Sequence, residues 1–210
     1  MNSNYKVIKF RSNNSKEVND QISIEEPLEI ILKYKDKENW IENTISITMR
    51  TPGDDEDLVT GFLFNERVIE KISHIENIVA SGEPVGQYKL QNKVIITINN
   101  SENIDIDKIK RNFLTNSSCG VCGKTSLESL EIIKKDKILK SIPKIQHEII
   151  MKSPDILKQN QSEFSKTGGI HASGLFRANG EIIAVKEDVG RHNALDKLIG
   201  FVLKQNLLDN

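Results

Sequence analysis

Alternation of apolar and polar residues dominates the first hundred positions and predicts β-strands there. Ile45 and Ile47 alternate with polar neighbours, and the same period of two recurs in later segments of this half. The strands predicted in this half are Tyr5 to Phe10, Glu26 to Leu32, Thr44 to Met49, His74 to Ala80 and Lys93 to Asn99.

Between the third and fourth of these strands, the apolar period changes to that of a helix. Leu58, Val59, Phe62 and Leu63 fall on one face of this helix, and Asp54 stands at its N-cap position. The two strands next to this helix on each side give the order strand, strand, helix, strand, strand, which predicts a compact α+β module.

We place the end of this module near residue 104, which divides the chain into residues 1–104 and 105–210. The second domain is predicted to mix helices and strands. Its predicted elements are helices at Asp107 to Phe113, around Leu127 to Ile133 and at Pro154 to Phe164, strands at Ile170 to Phe176 and Glu181 to Lys186, and a final helix with Leu195, Leu198, Ile199 and Val202 on its core face.

Composition limits the partners and the cysteine chemistry. The chain of 210 residues carries 29 Lys and Arg against 30 Asp and Glu, so no global charge favours nucleic acid or a membrane surface. Met1 to Lys6 lacks the apolar run of a signal peptide, and no later segment is long and apolar enough to span a bilayer. We therefore expect a cytoplasmic protein whose thiols are kept reduced.

The chain contains two cysteines, and they stand three positions apart. Cys119 and Cys122 are separated by Gly120 and Val121 and followed by Gly123 and Lys124. Two thiols in a tight glycine turn can share a helix N-terminus, which stabilises a thiolate and favours attack on a persulfide or disulfide. The alternative is a pair of buried, inert cysteines, which the flanking glycines disfavour.

A second candidate segment is the loop from Ser165 to Gly174. Gly168 and Gly169 allow backbone N–H groups to approach a ligand such as a phosphate, and His171 follows at the edge of the loop. An ordinary turn followed by a strand histidine explains these residues about as well.

The third candidate segment is the start of the final helix. Arg191, His192 and Asn193 gather there, although cations are unfavourable at the positive end of a helix dipole unless an anion offsets them. A bound phosphate would supply that anion, and a salt bridge to Asp188 is the competing explanation.

These segments together carry a family resemblance. The motifs are Thr51-Pro52-Gly53-Asp54-Asp55-Glu56-Asp57-Leu58 with Gly61-Phe62-Leu63, then Ser118-Cys119-Gly120-Val121-Cys122-Gly123, then Thr167-Gly168-Gly169-Ile170-His171-Ala172, then Glu187-Asp188-Val189-Gly190-Arg191-His192-Asn193-Ala194 with Asp196-Lys197. In this order, they closely resemble the FdhD/NarQ family.

The resemblance implies a sulfur carrier for formate dehydrogenase maturation. Such a carrier accepts persulfide sulfur from a cysteine desulfurase and passes it to the molybdenum of a bis-(molybdopterin guanine dinucleotide) cofactor, without a tightly bound metal of its own. Cys119 would carry the persulfide and Cys122 would assist it. The residues expected to hold the cofactor's phosphates or guanine are Gly168, Gly169, His171, Arg191, His192 and Asn193.

The resemblance also implies a fold and an assembly. Residues 105–210 would form an α/β domain like that of cytidine deaminase, incomplete at the C-terminus because family members continue with further strands and helices. Family members are described as homodimers, so a homodimer is expected here.

Three alternatives use the same cysteines. His74-Ile75-Glu76 followed by Cys119-x-x-Cys122 imitates the signature of a zinc deaminase, although Ser118 replaces the expected proline and a strand is predicted around Ile75. A structural zinc site would combine the cysteines with His171 and His192. A disulfide oxidoreductase is the third alternative.

Overall fold

The computed structural model describes residues 1–12, 14–86, 88–99 and 144–207. Its strands are β1 (Asn2–Arg11), β2 (Asn14–Ser23), β3 (Glu26–Asp36), β4 (Asn39–Arg50), β5 (Ile75–Ser81), β6 (Lys93–Ile98), β7 (His171–Phe176) and β8 (Ile182–Asp188). Its helices are α1 (Asp55–Asn65), α2 (His147–Gln159), α3 (Phe164–Thr167) and α4 (Arg191–Lys204), with a 3₁₀ turn at Ile72–His74.

The strands form one four-stranded sheet and two two-stranded ones. The larger sheet has the order β4-β3-β6-β5, in which β3 and β6 are parallel and β5 is antiparallel to β6. Strands β1 and β2 form an antiparallel hairpin, and β7 pairs antiparallel with β8. The described part of the chain is therefore a mixed α+β structure.

Alternating apolar residues hold the larger sheet together. Leu28, Ile30, Leu32 and Tyr34 of β3 are all buried, at every second position, because successive side chains of a strand point to opposite faces. The buried residues of the neighbouring strand β6 follow the same period: Val94, Ile96 and Ile98.

Two compact units divide the described residues. The first contains Met1–Pro27, Met49–Phe62 and the segment from His147 onward, and the second contains Leu28–Thr48 and the segment from Leu63. The boundary predicted near residue 104 lies outside the described residues and stays a prediction, as do the helices predicted around Asp107 and Leu127.

The strands and helices predicted within the described segments are present, with three local corrections. Strand β2 was not predicted, because its sequence is almost entirely polar. The helix predicted from Pro154 to Phe164 is two helices: Pro154 lies inside α2, which runs from His147 to Gln159, and Phe164 is the first residue of α3. His74 ends a 3₁₀ turn instead of opening a strand.

The buried face of α4 also differs from the predicted stripe. Leu198 and Val202 are buried as expected, but Leu195 is 45% exposed. The buried face instead includes Lys197 and Gly200, which contact polar groups of the first unit. No helix in the described residues is long and apolar enough to cross a membrane.

Candidate functional site

A buried ion pair joins the end of β8 to α4. Asp188 is fully buried and Lys197 is 2% exposed, and the Lys197 Nζ atom lies 2.7 Å from Asp188 Oδ2. The same ammonium group donates a hydrogen bond of 2.8 Å to the carbonyl oxygen of Thr51. Buried charges are tolerated when they are paired and hydrogen-bonded, and this pair meets both conditions.

The second oxygen of Asp188 holds the turn that leads into α4. Asp188 Oδ1 accepts hydrogen bonds from the backbone N–H of Gly190 at 2.9 Å and from Asn193 Nδ2 at 3.1 Å. Asn193 Nδ2 also donates to the carbonyl oxygen of Met49 at 2.7 Å. The start of α4 is therefore tied to β4 and to the end of β8.

Thr51 links the β4–α1 turn to the β8–α4 turn. Its backbone N–H donates to Asp188 Oδ2 at 3.1 Å, and its Oγ1 accepts a hydrogen bond from the backbone N–H of Val189, also at 3.1 Å. Thr51 thus holds both the carboxylate of Asp188 and the backbone N–H of Val189 in place.

Arg50 anchors the start of α1. This arginine is 1% exposed and forks onto Asp55, the first residue of the helix, with Nε–Oδ1 and Nη2–Oδ2 distances of 2.9 Å. Its Nη1 also donates to the carbonyl oxygen of Glu26 at 3.3 Å. A bidentate guanidinium–carboxylate pair is among the strongest charge-assisted contacts in proteins, so the helix entry is well fixed.

Asp57 in the first turn of α1 lies between two lysines. Lys186 Nζ is 2.7 Å from one carboxylate oxygen of Asp57, and Lys204 Nζ is 3.0 Å from the other. Burial by itself lowers the pKa of Lys186, but its hydrogen bonds to Asp57 and Asp54 outweigh burial and raise that pKa above 10.5. The pKa of Lys204 is raised in the same way, with hydrogen bonds to Glu56 and Asp57 outweighing burial.

Helices α1 and α4 cross with their backbones in contact. A Cβ atom added to Gly61 of α1 would overlap the carbonyl oxygen of Asp196, and one added to Gly200 of α4 would overlap the carbonyl oxygen of Asp57. The two glycines therefore permit the crossing, and larger residues at either position would separate the helices.

The two predicted ligand-binding motifs meet at one end of the β7–β8 pair. His171, the first residue of β7, is in register with Asp188, the last residue of β8. Because the strands are antiparallel, the loop before His171 and the turn after Asp188 emerge side by side. Glu187 accepts hydrogen bonds from the backbone N–H groups of Glu163 and Phe164, at 2.9 and 2.8 Å, and so holds the start of α3.

An open pocket of about 460 Å³ lies where these motifs meet. Thr167 and Gly169 line it from the loop after α3, and Val189 lines it from the turn before α4. A further wall comes from the end of β2 and includes Gln21 and Ser23. Ser23 and Thr167 join their hydroxyl groups at 2.9 Å, which ties the hairpin to the loop.

The predicted site residues differ in their accessibility. Gly168, Gly169, His171, Arg191 and His192 are exposed, and Gly168 adopts a φ of +67°, a backbone conformation that glycine favours. Asn193 is buried, and its amide group donates within the protein. Asp188 forms its ion pair with Lys197, and among the described residues no ion pair joins it to Arg191, so the competing explanation of a salt bridge at the helix start gains no support. Cys119 and Cys122 lie outside the described residues.

Sequence reasoning missed the part played by Lys197, Thr51 and β2. A lysine within the buried stripe of α4, three residues after Ala194 and one before Leu198, was a usable signal, because an unpaired lysine there would be costly. Nothing in the local sequence of Thr51 indicates that its hydroxyl contacts a residue 138 positions away.

His74 does not stand where a deaminase metal ligand would. It ends a 3₁₀ turn that leads into strand β5, and its Nδ1 accepts a hydrogen bond from the backbone N–H of Glu70 at 3.4 Å. Within the ranges that the structure describes, no group of three or more His, Cys, Asp or Glu residues is placed to hold a metal ion.

Comparison with known proteins agrees with the motifs. The model of the FdhD/NarQ family matches residues 23–209. The chain belongs to the FdhD/NarQ family. All four motifs lie within the matched range.

Proteins named sulfur carrier protein FdhD are among the similar sequences. The one from Picrophilus torridus is 44% identical over 191 residues, which cover 90% of this chain and 66% of that protein. The one from Sulfurisphaera tokodaii is 37% identical over 198 residues, covering 94% and 69%. The chain thus spans about two thirds of the length of these FdhD relatives.

A solved structure shares the fold of this chain. The crystal structure of a candidate formate dehydrogenase accessory protein from Desulfotalea psychrophila aligns with a TM-score of 0.64 at 23% identity, covering 96% of this chain and 69% of that one. At this identity, the likeness supports the fold.

Proposed function

We propose that this chain is a sulfur carrier for formate dehydrogenase maturation. It takes persulfide sulfur from a cysteine desulfurase and delivers it to the molybdenum of a bis-(molybdopterin guanine dinucleotide) cofactor before that cofactor enters the enzyme. The observation that carries this proposal is membership of the FdhD/NarQ family over residues 23–209, together with similarity to proteins named sulfur carriers.

Cys119 is the proposed persulfide carrier. Its thiolate attacks the terminal sulfur of the donor persulfide, the donor's sulfur–sulfur bond breaks, and the desulfurase thiolate leaves. The product is a persulfide on Cys119, and Cys122 assists by resolving mixed disulfides. This chemistry is that of a sulfurtransferase-type carrier, which is loaded and emptied in turn.

The pocket beside α4 is the proposed site for the nucleotide part of the cofactor. Two motifs line it, with Thr167 and Gly169 from one and Val189 from the other, so it brings together segments that are 20 residues or more apart in sequence. Its lining combines hydroxyl, amide and apolar groups with the carboxylates of Asp20 and Glu25. Carboxylates are acceptors that suit the N–H groups of a guanine base, and they do not suit its phosphates.

Arg191 and His192 are the proposed phosphate contacts. Both are exposed in the first turn of α4, where the helix dipole favours an anion. His171 is the first residue of the neighbouring strand β7 and would approach the same ligand from that strand. Asn193 contributes by holding the helix start, because its amide group is committed to Met49 and Asp188.

The remaining parts of the proposal concern partners and place. A cysteine desulfurase is the donor and formate dehydrogenase is the recipient enzyme. The chain acts in the cytoplasm as a homodimer, and neither nucleic acid nor a membrane takes part.

Intact-protein mass spectrometry tests the carrier chemistry. After incubation with a cysteine desulfurase and cysteine, the wild type is expected to gain the mass of one sulfur atom, which a thiol reductant removes. Cys119→Ala should abolish this adduct, and Cys122→Ala should retain it. An adduct that persists in Cys119→Ala would contradict the assignment of Cys119.

Nucleotide titration tests the pocket independently of sulfur loading. GDP serves as a probe for half of the guanine dinucleotide, and Arg191→Ala should weaken its binding about tenfold, since contacts to charged groups are worth about 1.5–3 kcal/mol. Arg177→Ala is the matched control, because Arg177 is an exposed arginine at the opposite end of the β7–β8 pair, beside Glu181. Equal GDP affinity in all three proteins would remove Arg191 from the site.

A further inference from the structure

We propose that Thr51 is a positioning residue for the pocket beside α4. Its hydroxyl group holds the Val189 wall of that pocket, although Thr51 belongs to the β4–α1 turn. This inference rests on the proposed nucleotide site. It adds to that site a residue of the Thr51-Pro52-Gly53 motif, whose backbone groups bond to both members of the Asp188–Lys197 ion pair.

Val189 and Thr51 take different positions relative to the pocket. Val189 lines the pocket, whereas Thr51 is 4% exposed and is not among the lining residues. The contact between them is the hydrogen bond of 3.1 Å from the Val189 N–H to Thr51 Oγ1. The hydroxyl group of Thr51 therefore acts on a ligand through Val189.

The next N–H group of the turn, that of Gly190, is held by Asp188, which also bonds to Thr51. The Gly190 N–H donates to Asp188 Oδ1, and the other oxygen of Asp188 accepts the Thr51 N–H. Two successive N–H groups of the turn are thus held by acceptors that Thr51 either supplies or helps to orient. A turn held at both amides presents one conformation to a ligand, which reduces the ordering cost of binding.

Loss of the Thr51 hydroxyl group would remove the first of these two contacts. Valine is nearly isosteric with threonine, so Thr51→Val preserves the packing but leaves the Val189 N–H without its acceptor. Because a partly buried donor without an acceptor is unfavourable, the turn is expected to shift until this N–H finds another partner. That movement displaces the wall of the pocket that Val189 forms.

The chain offers a matched control for this substitution. Thr60 on α1 is also fully buried, and within the described residues its Oγ1 is the buried side-chain polar atom that lacks a hydrogen-bond partner. Thr60→Val makes the same chemical change in the same unit without removing a hydrogen bond. Thr51→Ser is the conservative rescue, since serine retains the acceptor oxygen.

The experiment measures GDP affinity by calorimetry and global stability by urea denaturation for the wild type and the three variants. We expect Thr51→Val to weaken GDP binding about five- to tenfold, the range of one buried hydrogen bond, with Thr51→Ser within about twofold of wild type and Thr60→Val unchanged. A purely structural role would lower stability without altering the dissociation constant, because the molecules that remain folded would bind as the wild type does.

Two results overturn the inference, and they have different meanings. If the wild type binds GDP and Thr51→Val binds it equally well, Thr51 does not position the pocket, and the proposed function stands. If the wild type does not bind GDP yet still acquires sulfur on Cys119, the nucleotide pocket itself is wrong. The inference then fails with it, while the carrier chemistry remains.

Discussion

Replacement of Lys197 by methionine tests the buried ion pair most directly. Methionine retains most of the lysine stem and so preserves packing, but it removes the ammonium group that lies 2.7 Å from Asp188 and 2.8 Å from the Thr51 carbonyl oxygen. The carboxylate of Asp188 would then be buried without a counter-ion.

The magnitude follows from what Asp188 loses and what it keeps. Breaking a buried pair by removing one partner costs about 3–5 kcal/mol. Asp188 keeps the donors from Thr51, Gly190 and Asn193, so we expect the lower end of that range, about 3 kcal/mol. Since domains are stable by about 5–15 kcal/mol, the variant should still fold.

Urea denaturation followed by circular dichroism measures this loss. Lys6→Met is the control, because the Lys6–Glu17 pair is exposed on both sides and such pairs contribute at most about 1 kcal/mol. The double variant Asp188→Asn with Lys197→Met should recover part of the loss, since a neutral amide needs no counter-ion. A loss for Lys197→Met no larger than that for Lys6→Met would refute the reasoning.

Three further predictions concern the helix crossing and two charged groups. Gly200→Ala should cost about 3 kcal/mol in thermal unfolding, because its Cβ meets the Asp57 carbonyl oxygen and overpacking is costly. The hydrogen bond from Lys93 lowers the pKa of Glu29 below 4.5. The stabilisation of the fold by this pair is present above pH 4.5 and is lost as pH falls through the lowered pKa. In Glu29→Gln, the free energy of unfolding should therefore depend less on pH in this acid range. The raised pKa of Lys186 gives stabilisation that is present below pH 10.5 and lost as pH rises through the raised value. In Lys186→Met, the free energy of unfolding should therefore depend less on pH in the alkaline range.

Each of these predictions has its own counter-evidence. Gly169→Ala is the control for the helix crossing, because an added Cβ there comes no closer than 4.0 Å to Thr167, and equal losses at both glycines would contradict the crossing argument. For the two charged groups, acid and alkaline denaturation curves that run parallel to the wild type would show that the ion pairs do not stabilise the folded state.

The strands with apolar alternation were predictable, and the polar hairpin strand was not. Strand β3 places an apolar residue at every second position, so its period identifies it without any other information. Strand β2, in contrast, is held by backbone pairing with β1, and its register is set by the turn between them. A sequence pattern that reports burial cannot report a strand that buries little.

The residues of the candidate site stay predictions from the sequence, and the contacts that support them in the fold were not predicted. Arg191 and His192 were identified from their position at a helix start, where the helix dipole disfavours cations unless an anion offsets them. The pair of Asp188 and Lys197 depends on the packing of β8 against α4, and the Thr51 contact depends on a turn more than a hundred residues earlier. Such contacts are set by tertiary structure, which local patterns do not encode.

The hairpin has a practical consequence for anyone who shortens this protein. The family match begins at residue 23, so β1 and nearly all of β2 precede it. A truncation designed on that match would retain all four motifs yet remove Gln21 and part of the pocket wall that the hairpin forms. Under the proposed function, such a truncated protein would load sulfur normally and still fail to bind GDP, a defect that an inventory of retained motifs would not anticipate.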